Sequence, residues 1–189
     1  VIASANPHKV AEIQAMLALV AVEVLPQPTD LQVEETGASY AENARLKAEA
    51  AAAHTSSWAL ADDSGIEVDA LEGRPGLYSA RYAPNDAERM HRLLKELGDS
   101  LYRGASFVSA MALADPSGRT VAESEGICRG LILRAPDGHG AGYDPLFWVR
   151  EAGSSYAHMN EHLRERLGSR GKAARAIAPA LRQCLGLRR

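Results

Sequence analysis

The sequence predicts an α/β fold built on a mixed, twisted central sheet flanked by helices. Three observations carry this reading: strand-like and helix-like segments alternate at both ends of the chain, a β-hairpin pattern occupies the middle, and no repeat or linker separates independent domains. With 189 residues, one unit spanning 1–189 buries roughly 70% of its unfolded surface and needs no disulfide or metal staple.

Residues 1–3 read as a strand end. Asn6-Pro7 then supplies a helix cap and a proline at the first helical position, and Val10, Ile13, Met16, Leu17 and Val20 recur at helical spacing. Residues 22–25 suggest a second strand. Ser39 and Glu42 form an S-x-x-E capping signature ahead of an alanine-rich run, which predicts a helix over 40–54. Residues 58–61 read as a short strand ending at Asp62-Asp63-Ser64-Gly65, and 86–97 as an amphipathic helix closed by Gly98. Segments 105–114 and 120–127 pair as a hairpin across Asp115-Pro116-Ser117-Gly118, with 131–133 as a further strand. A Gly- and Pro-rich loop over 136–142 precedes a strand at 145–149, and helices near 160–167 and 171–185 close the chain.

Apolar residues make up 46% of the chain and charged residues 24%, which excludes a disordered or fibrous protein. The formal charge is −3 and the densest cationic stretch is only 164–175, so binding to a nucleic-acid polymer is disfavoured. Cys128 and Cys184 have no paired spacing, which predicts no zinc site and a reducing, cytoplasmic setting. No apolar run approaches the ~20 residues of a membrane span, and the chain opens on a strand-like segment rather than a cationic leader.

Polar residues concentrate at four element ends. The turn Ser4-Ala5-Asn6-Pro7-His8-Lys9 offers backbone N–H groups, a helix dipole and a lysine to a phosphate; its plainer reading is a capped helix with a solvated Lys9. Glu42 suits either a metal ligand or the completion of a capping box, and one carboxylate oxygen cannot do both. Lys47, five residues on, is offset from Glu42 by about 140° and reads by itself as a surface lysine. Adjacent Asp62 and Asp63 at a strand's end repel one another, so keeping both charged calls for a cation, and magnesium suits oxygen ligands better than zinc; a plain Asp-Ser-Gly turn is the alternative. The glycine-rich stretches at 140–145 and 168–172 fail as nucleotide loops. A P-loop needs glycine at Arg166 and a hydroxyl at Ala173, and a dinucleotide fingerprint needs glycine where Tyr143 or Pro145 stands.

Taken in order, Ser4-x-Asn6-x-x-Lys9, Thr36-Gly37-x-x-x-x-Glu42-Asn43-x-x-x-Lys47-Ala48, Ala61-Asp62-Asp63-Ser64-Gly65-x-x-Val68-Asp69-Ala70-Leu71, Pro75-Gly76-x-Tyr78-Ser79-Ala80-Arg81-Tyr82 and Gly142-Tyr143-Asp144-Pro145-Leu146-Phe147 resemble the inosine/xanthosine triphosphate pyrophosphatase, or Ham1-like, family. The resemblance covers nearly the whole chain. It implies a homodimer of two lobes around a cleft that hydrolyses inosine, deoxyinosine and xanthosine triphosphates to monophosphate and pyrophosphate with Mg2+. Carried over by position, Ser4, Asn6 and Lys9 would hold phosphates with Lys47 nearby. Glu42 and Asp63 would face the magnesium, Asp63 would also be the catalytic base, and Ser64 would contact substrate. Gly142, Tyr143, Asp144, Arg164, Ser169 and Arg170 would belong to the base pocket.

The departures fall in that last group. Ala141 stands where the family has phenylalanine, Gly168-Ser169-Arg170-Gly171 where it has Ser-His-Arg-Gly, and Arg164 where it has lysine. Losing an aromatic platform costs about 1–3 kcal/mol of base binding, and losing an imidazole removes a discriminating polar contact. The expectation is working hydrolysis with weakened or redirected base selectivity. The competing readings are a nucleotide-binding protein without turnover and a house-cleaning enzyme for modified pyrimidine triphosphates.

Overall fold

The computed structural model describes residues 1–17 and 22–186. Its helices are α1 (Pro7–Met16), α2 (Tyr40–Thr55), α3 (Asp86–Leu97), α4 (Glu161–Leu167) and α5 (Ser169–Cys184). Strands β1 (Ala59–Val68), β2 (Gly104–Ala114), β3 (Thr120–Ile132), β4 (Phe147–Val149) and β5 (Ser154–Ser155) form one sheet in sequence order. The β3–β4 and β4–β5 pairs are antiparallel, and Ile2, outside these strands, adds isolated parallel bridges to Leu60 and Pro26, so the mixed pairing expected of the sheet is confined, among the described residues, to that margin. Val20, expected in the first helix, lies outside the described residues.

The chain divides into two compact units. The first comprises residues 1–63, 109–126 and 170 onward, and strand alternation organises it. Leu60, Met111 and Leu113 pack with Ile13, Leu17, Ala173, Ala174, Ile177 and Leu181. The intervening Ala59, Ala61, Ala112 and Ala114 pack with Ala44, Ala48, Ala51 and Ala52 of α2. Helices therefore cover both faces, which is why these strand segments are buried almost without interruption. The apolar contacts of α2 with these strands are alanine on alanine, so the helix backbone lies close against them.

The second unit comprises residues 64–108 and 127–169. Its core gathers Ile66, Val68, Leu93, Ile132, Leu146 and Phe147, with the Phe107 ring 4.2 Å from Phe147 and 5.3 Å from Tyr156. Asn85 caps α3 through the Glu88 N–H, and Leu93 and Leu97 face inward.

Several expected boundaries shift, among them the strand at 145–149, which starts only at Phe147 because Asp144–Leu146 form a short 3-10 helix with proline inside it. The strand at 22–25 reduces to a single bridge at Pro26, because Pro26 and Pro28 carry no N–H with which to extend a ladder. The strand at 131–133 is the end of β3, which continues through Gly130; a β-carbon there would collide with the Phe147 ring. Most consequentially, β1 does not stop at Ala61 but runs through Asp62, Asp63, Ser64 and Gly65 to Val68. Residues that read as a turn are strand interior.

The alanine seam has no room to enlarge. Ala48→Leu should lower stability by about 2 kcal/mol or more, measured as the shift in urea midpoint; Ala53→Leu, on the exposed side of α2, should change it by less than about 0.5 kcal/mol.

Candidate functional site

The period-two alternation that sorts the alanines from the leucines also separates the two aspartates. Asp62 follows the parity of Leu60 and faces α1 and α5; Asp63 follows Ala59 and Ala61 and faces α2. The expected mutual repulsion at one shared cation is therefore corrected, since each carboxylate has its own counter-ions.

On one face, Asp62 is 1% exposed and accepts from Lys9 Nζ at 3.0 Å and from Arg170 Nη2 at 3.3 Å. Arg170 also pairs with Glu12. Burial pushes the Asp62 carboxyl up, but Arg170 and Lys9 outweigh it and hold the group down at about 2.

On the other face, Asp63 is 7% exposed. Its Oδ1 accepts from Lys47 Nζ at 3.1 Å and its Oδ2 from the Asn43 amide at 3.1 Å. Lys47 also donates to Glu35 Oε1 at 2.7 Å. Its side chain is only 13% exposed, so it is not a surface lysine. Burial lowers its affinity for a proton, but Asp63 and Glu35 together raise it above the ordinary value. Asp63 moves up as well: burial is the largest cause, Lys47 opposes it, and the neighbouring Glu35 adds to it. One ammonium is thus shared by two carboxylates on this face.

The turn at the start of α1 is a cap. Ser4 Oγ accepts from Asn6 N–H at 3.2 Å, and Asn6 Oδ1 accepts from Lys9 N–H at 3.4 Å. Ser4 also lines an uncharged pocket of about 560 Å3 formed with Pro7, Val10, Gln14 and residues 26–29, 31 and 32; Lys9 and Asp63 are not in its lining.

Glu42 resolves in favour of capping. Its N–H donates to Ser39 Oγ at 3.2 Å and its carboxylate accepts from Ala38 N–H at 2.7 Å. Glu35, not Glu42, is the second carboxylate that the structure brings to Lys47.

The remaining candidates belong to the second unit. Ser64 is a half-buried residue of β1. Gly142, at φ 59°, donates its N–H to Asp86 at 2.7 Å. Tyr143 is buried and donates its hydroxyl to the Ser79 carbonyl at 2.9 Å, and burial pushes its pKa far up. Asp144 pairs with Arg164 at 3.0 Å, while the Arg164 guanidinium lies 4.7 Å from the Tyr156 ring centre. Ser169 is buried as the first residue of α5.

Sequence reasoning missed Glu12, Glu35 and Asn43. Two had a signal: Glu12 is three residues after Lys9, and Asn43 is four before Lys47, spacings that put each pair on one helix face. Glu35 had none, because a loop and not a helix places it.

Among the described residues, no three His, Cys, Asp or Glu side chains form a metal-holding group by themselves. Glu35 and Asp63, two carboxylates brought to the one Lys47 ammonium, fit magnesium, which takes one or two carboxylates and completes its shell with water and substrate phosphate. Nor is any helix long and apolar enough to cross a membrane, among the described residues.

The class is an α/β protein whose two strand aspartates are paired with cations borne by the flanking helices. The chain belongs to the Ham1 family, whose profile matches residues 1–180. It is 50% identical over 182 residues to a dITP/XTP pyrophosphatase of Nostoc sp., covering 96% of this chain and 93% of that one. A Synechococcus sp. protein of the same name is 48% identical over 186 residues, covering 98% and 90%. Among solved structures, a HAM1 protein from Coxiella burnetii superposes with a TM-score of 0.86 at 35% identity, covering 96% of this chain and 97% of that chain. A dITP/XTP pyrophosphatase from Mycobacterium abscessus gives 0.73 at 40% identity, covering 94% and 97%.

Because the folded Asp62 carboxyl titrates below its ordinary value of 3.8, its contribution to stability is present above that pH and is lost as pH falls toward about 2. The contribution is roughly 2 kcal/mol. Urea unfolding at a series of acid pH values should show this slope in the wild type and a flatter one in Asp62→Asn. At neutral pH the variant should lose roughly 3 kcal/mol, since Lys9 and Arg170 keep their charge beside a neutral amide.

Proposed function

We propose that this chain is a magnesium-dependent pyrophosphatase that hydrolyses noncanonical purine nucleoside triphosphates, dITP, ITP and XTP, to the monophosphate and pyrophosphate. The observation that carries the reading is the Lys47 ammonium held between Glu35 and Asp63, a cation and two carboxylates positioned for a phosphate–metal pair. Relatives named dITP/XTP pyrophosphatase, 42–50% identical over nearly the full chain, supply the substrate class. The homodimer and the cytoplasmic setting implied by the resemblance belong to the same proposal.

A triphosphate carries about four negative charges and repels a nucleophile of the same sign, so the site must first neutralise it. Lys47 and Lys9 supply positive charge from α2 and α1, and the α1 N-terminus adds its dipole. Glu35 and Asp63 would hold magnesium, which when bound neutralises phosphate charge and makes water easier to ionise. Asp63 accepts a proton from water as the water oxygen bonds to the α-phosphorus, and the bridging oxygen leaves with pyrophosphate. Lys47 and Asn43 hold both Asp63 oxygens, which fixes the plane of the carboxylate during that transfer.

At the base end, Tyr143 is engaged through its hydroxyl, Ala141 offers no ring, and Ser169 offers no imidazole. Discrimination between purine bases should accordingly fall below about 100-fold.

Pyrophosphate release measured over dITP, XTP, dGTP, dATP and a modified pyrimidine triphosphate tests the assignment. Release should require Mg2+, be highest with dITP or XTP, and fall by at least ~1,000-fold in Asp63→Asn. Glu35→Gln should raise the magnesium concentration needed for half-maximal rate by ~10-fold or more. Nucleotide binding without any release would instead favour a binding protein, and full activity in Asp63→Asn would remove that residue from the mechanism.

A further inference from the structure

Resting on the reading that Asp63 takes the proton from water, we infer that Asn43 is a positioning residue that locks Asp63 and the loop carrying Glu35 to one another. The Asn43 side chain is 1% exposed and committed at both ends. Its Nδ2 donates to Asp63 Oδ2 at 3.1 Å, and its Oδ1 accepts from Gly37 N–H at 2.8 Å. These two partners allow only one orientation of the amide, because turning it over would face oxygen to a carboxylate and N–H to N–H.

Asn43 and Lys47 lie one helical turn apart on α2, and between them they hold both oxygens of Asp63. The carboxylate cannot rotate without losing one of them. At its other end, Asn43 fixes the backbone two residues beyond Glu35, whose carboxylate reaches the same Lys47.

Gly37 supplies an independent observation. A β-carbon at this position would stand 2.7 Å from Asn43 Oδ1 and 2.7 Å from Glu42 Cβ. The loop closes onto α2 only because residue 37 has no side chain. Glycine and asparagine thus form one link, and the spacing of the two carboxylates depends on it. No other side chain of similar size serves: aspartate keeps the acceptor for Gly37 but turns a second carboxylate toward Asp63, and alanine loses both bonds.

The test uses wild type, Asn43→Ala, Asn43→Asp, Gly37→Ala and the Gly37→Ala/Asn43→Ala double variant. Three readings are made on each: dITP kinetics, titration with magnesium chloride alone, and hydrogen exchange of the residue-37 amide. In each single variant kcat should fall ~30–100-fold while KM moves less than about threefold, the pattern of lost positioning rather than lost binding. The double variant should lose little more than either single one, because both changes break the same link. Exchange at residue 37 should quicken ~10-fold or more in Asn43→Ala, and its magnesium affinity should weaken ~10-fold. A folded Asn43→Asp with kcat within threefold of wild type overturns the proposal, and that variant decides the matter should Asn43→Ala not fold. Fully additive losses in the double variant overturn the coupling. Wild-type protein silent on every triphosphate would overturn the hydrolase reading instead; unchanged exchange and unchanged magnesium affinity would then independently overturn the role of Asn43.

Discussion

The site depends on the geometry of one extended strand. Because successive side chains on β1 leave opposite faces, two neighbouring aspartates that would repel one another in a turn become the acidic groups of two separate environments. The face toward α1 and α5 gives Asp62 a lysine and an arginine and keeps it fully ionised. The opposite face gives Asp63 a lysine already shared with Glu35, and its proton affinity rises. Two residues identical in chemistry and adjacent in sequence are thus driven in opposite directions, one toward a permanent structural charge and the other toward proton transfer.

The division of labour follows from packing as much as from charge. Leu60 and Asp62 share a face with the longer apolar side chains of α1 and α5, whereas Ala61 and Asp63 share one with small residues. On the small-residue face α2 comes close enough for the short side chain of Asn43 to reach the strand. On the larger-residue face the gap is spanned by the long arms of Lys9 and Arg170.

Much of this was legible in the chain itself. Ser39 announced its helix through capping chemistry and Gly98 the end of another, the Asp115–Gly118 turn announced the hairpin, and the motif order announced the family. The course of β1 was not legible, because Asp, Ser and Gly disfavour strands locally and only the helices on either side hold those residues extended. Glu42 was ambiguous for a related reason. A carboxylate at the third helical position can cap or reach outward, and the nearby Ala38 N–H decides for the cap. Glu35 had to await the structure, since a loop and not a helix or strand places it, held through Gly37 by Asn43 and directly by Lys47 in no periodic pattern.

The seam of methyl groups between α2 and the strands also bears on how such a protein can change over time. In an ordinary core a residue may grow if its neighbour shrinks, but alanine facing alanine has almost nothing left to give up. Substitutions there are confined to glycine, serine or alanine itself, so the helix that carries Asn43 and Lys47 is tied to its strand by residues that cannot drift in compensating pairs. The polar groups of α2 inherit that fixity, although none of them belongs to the seam.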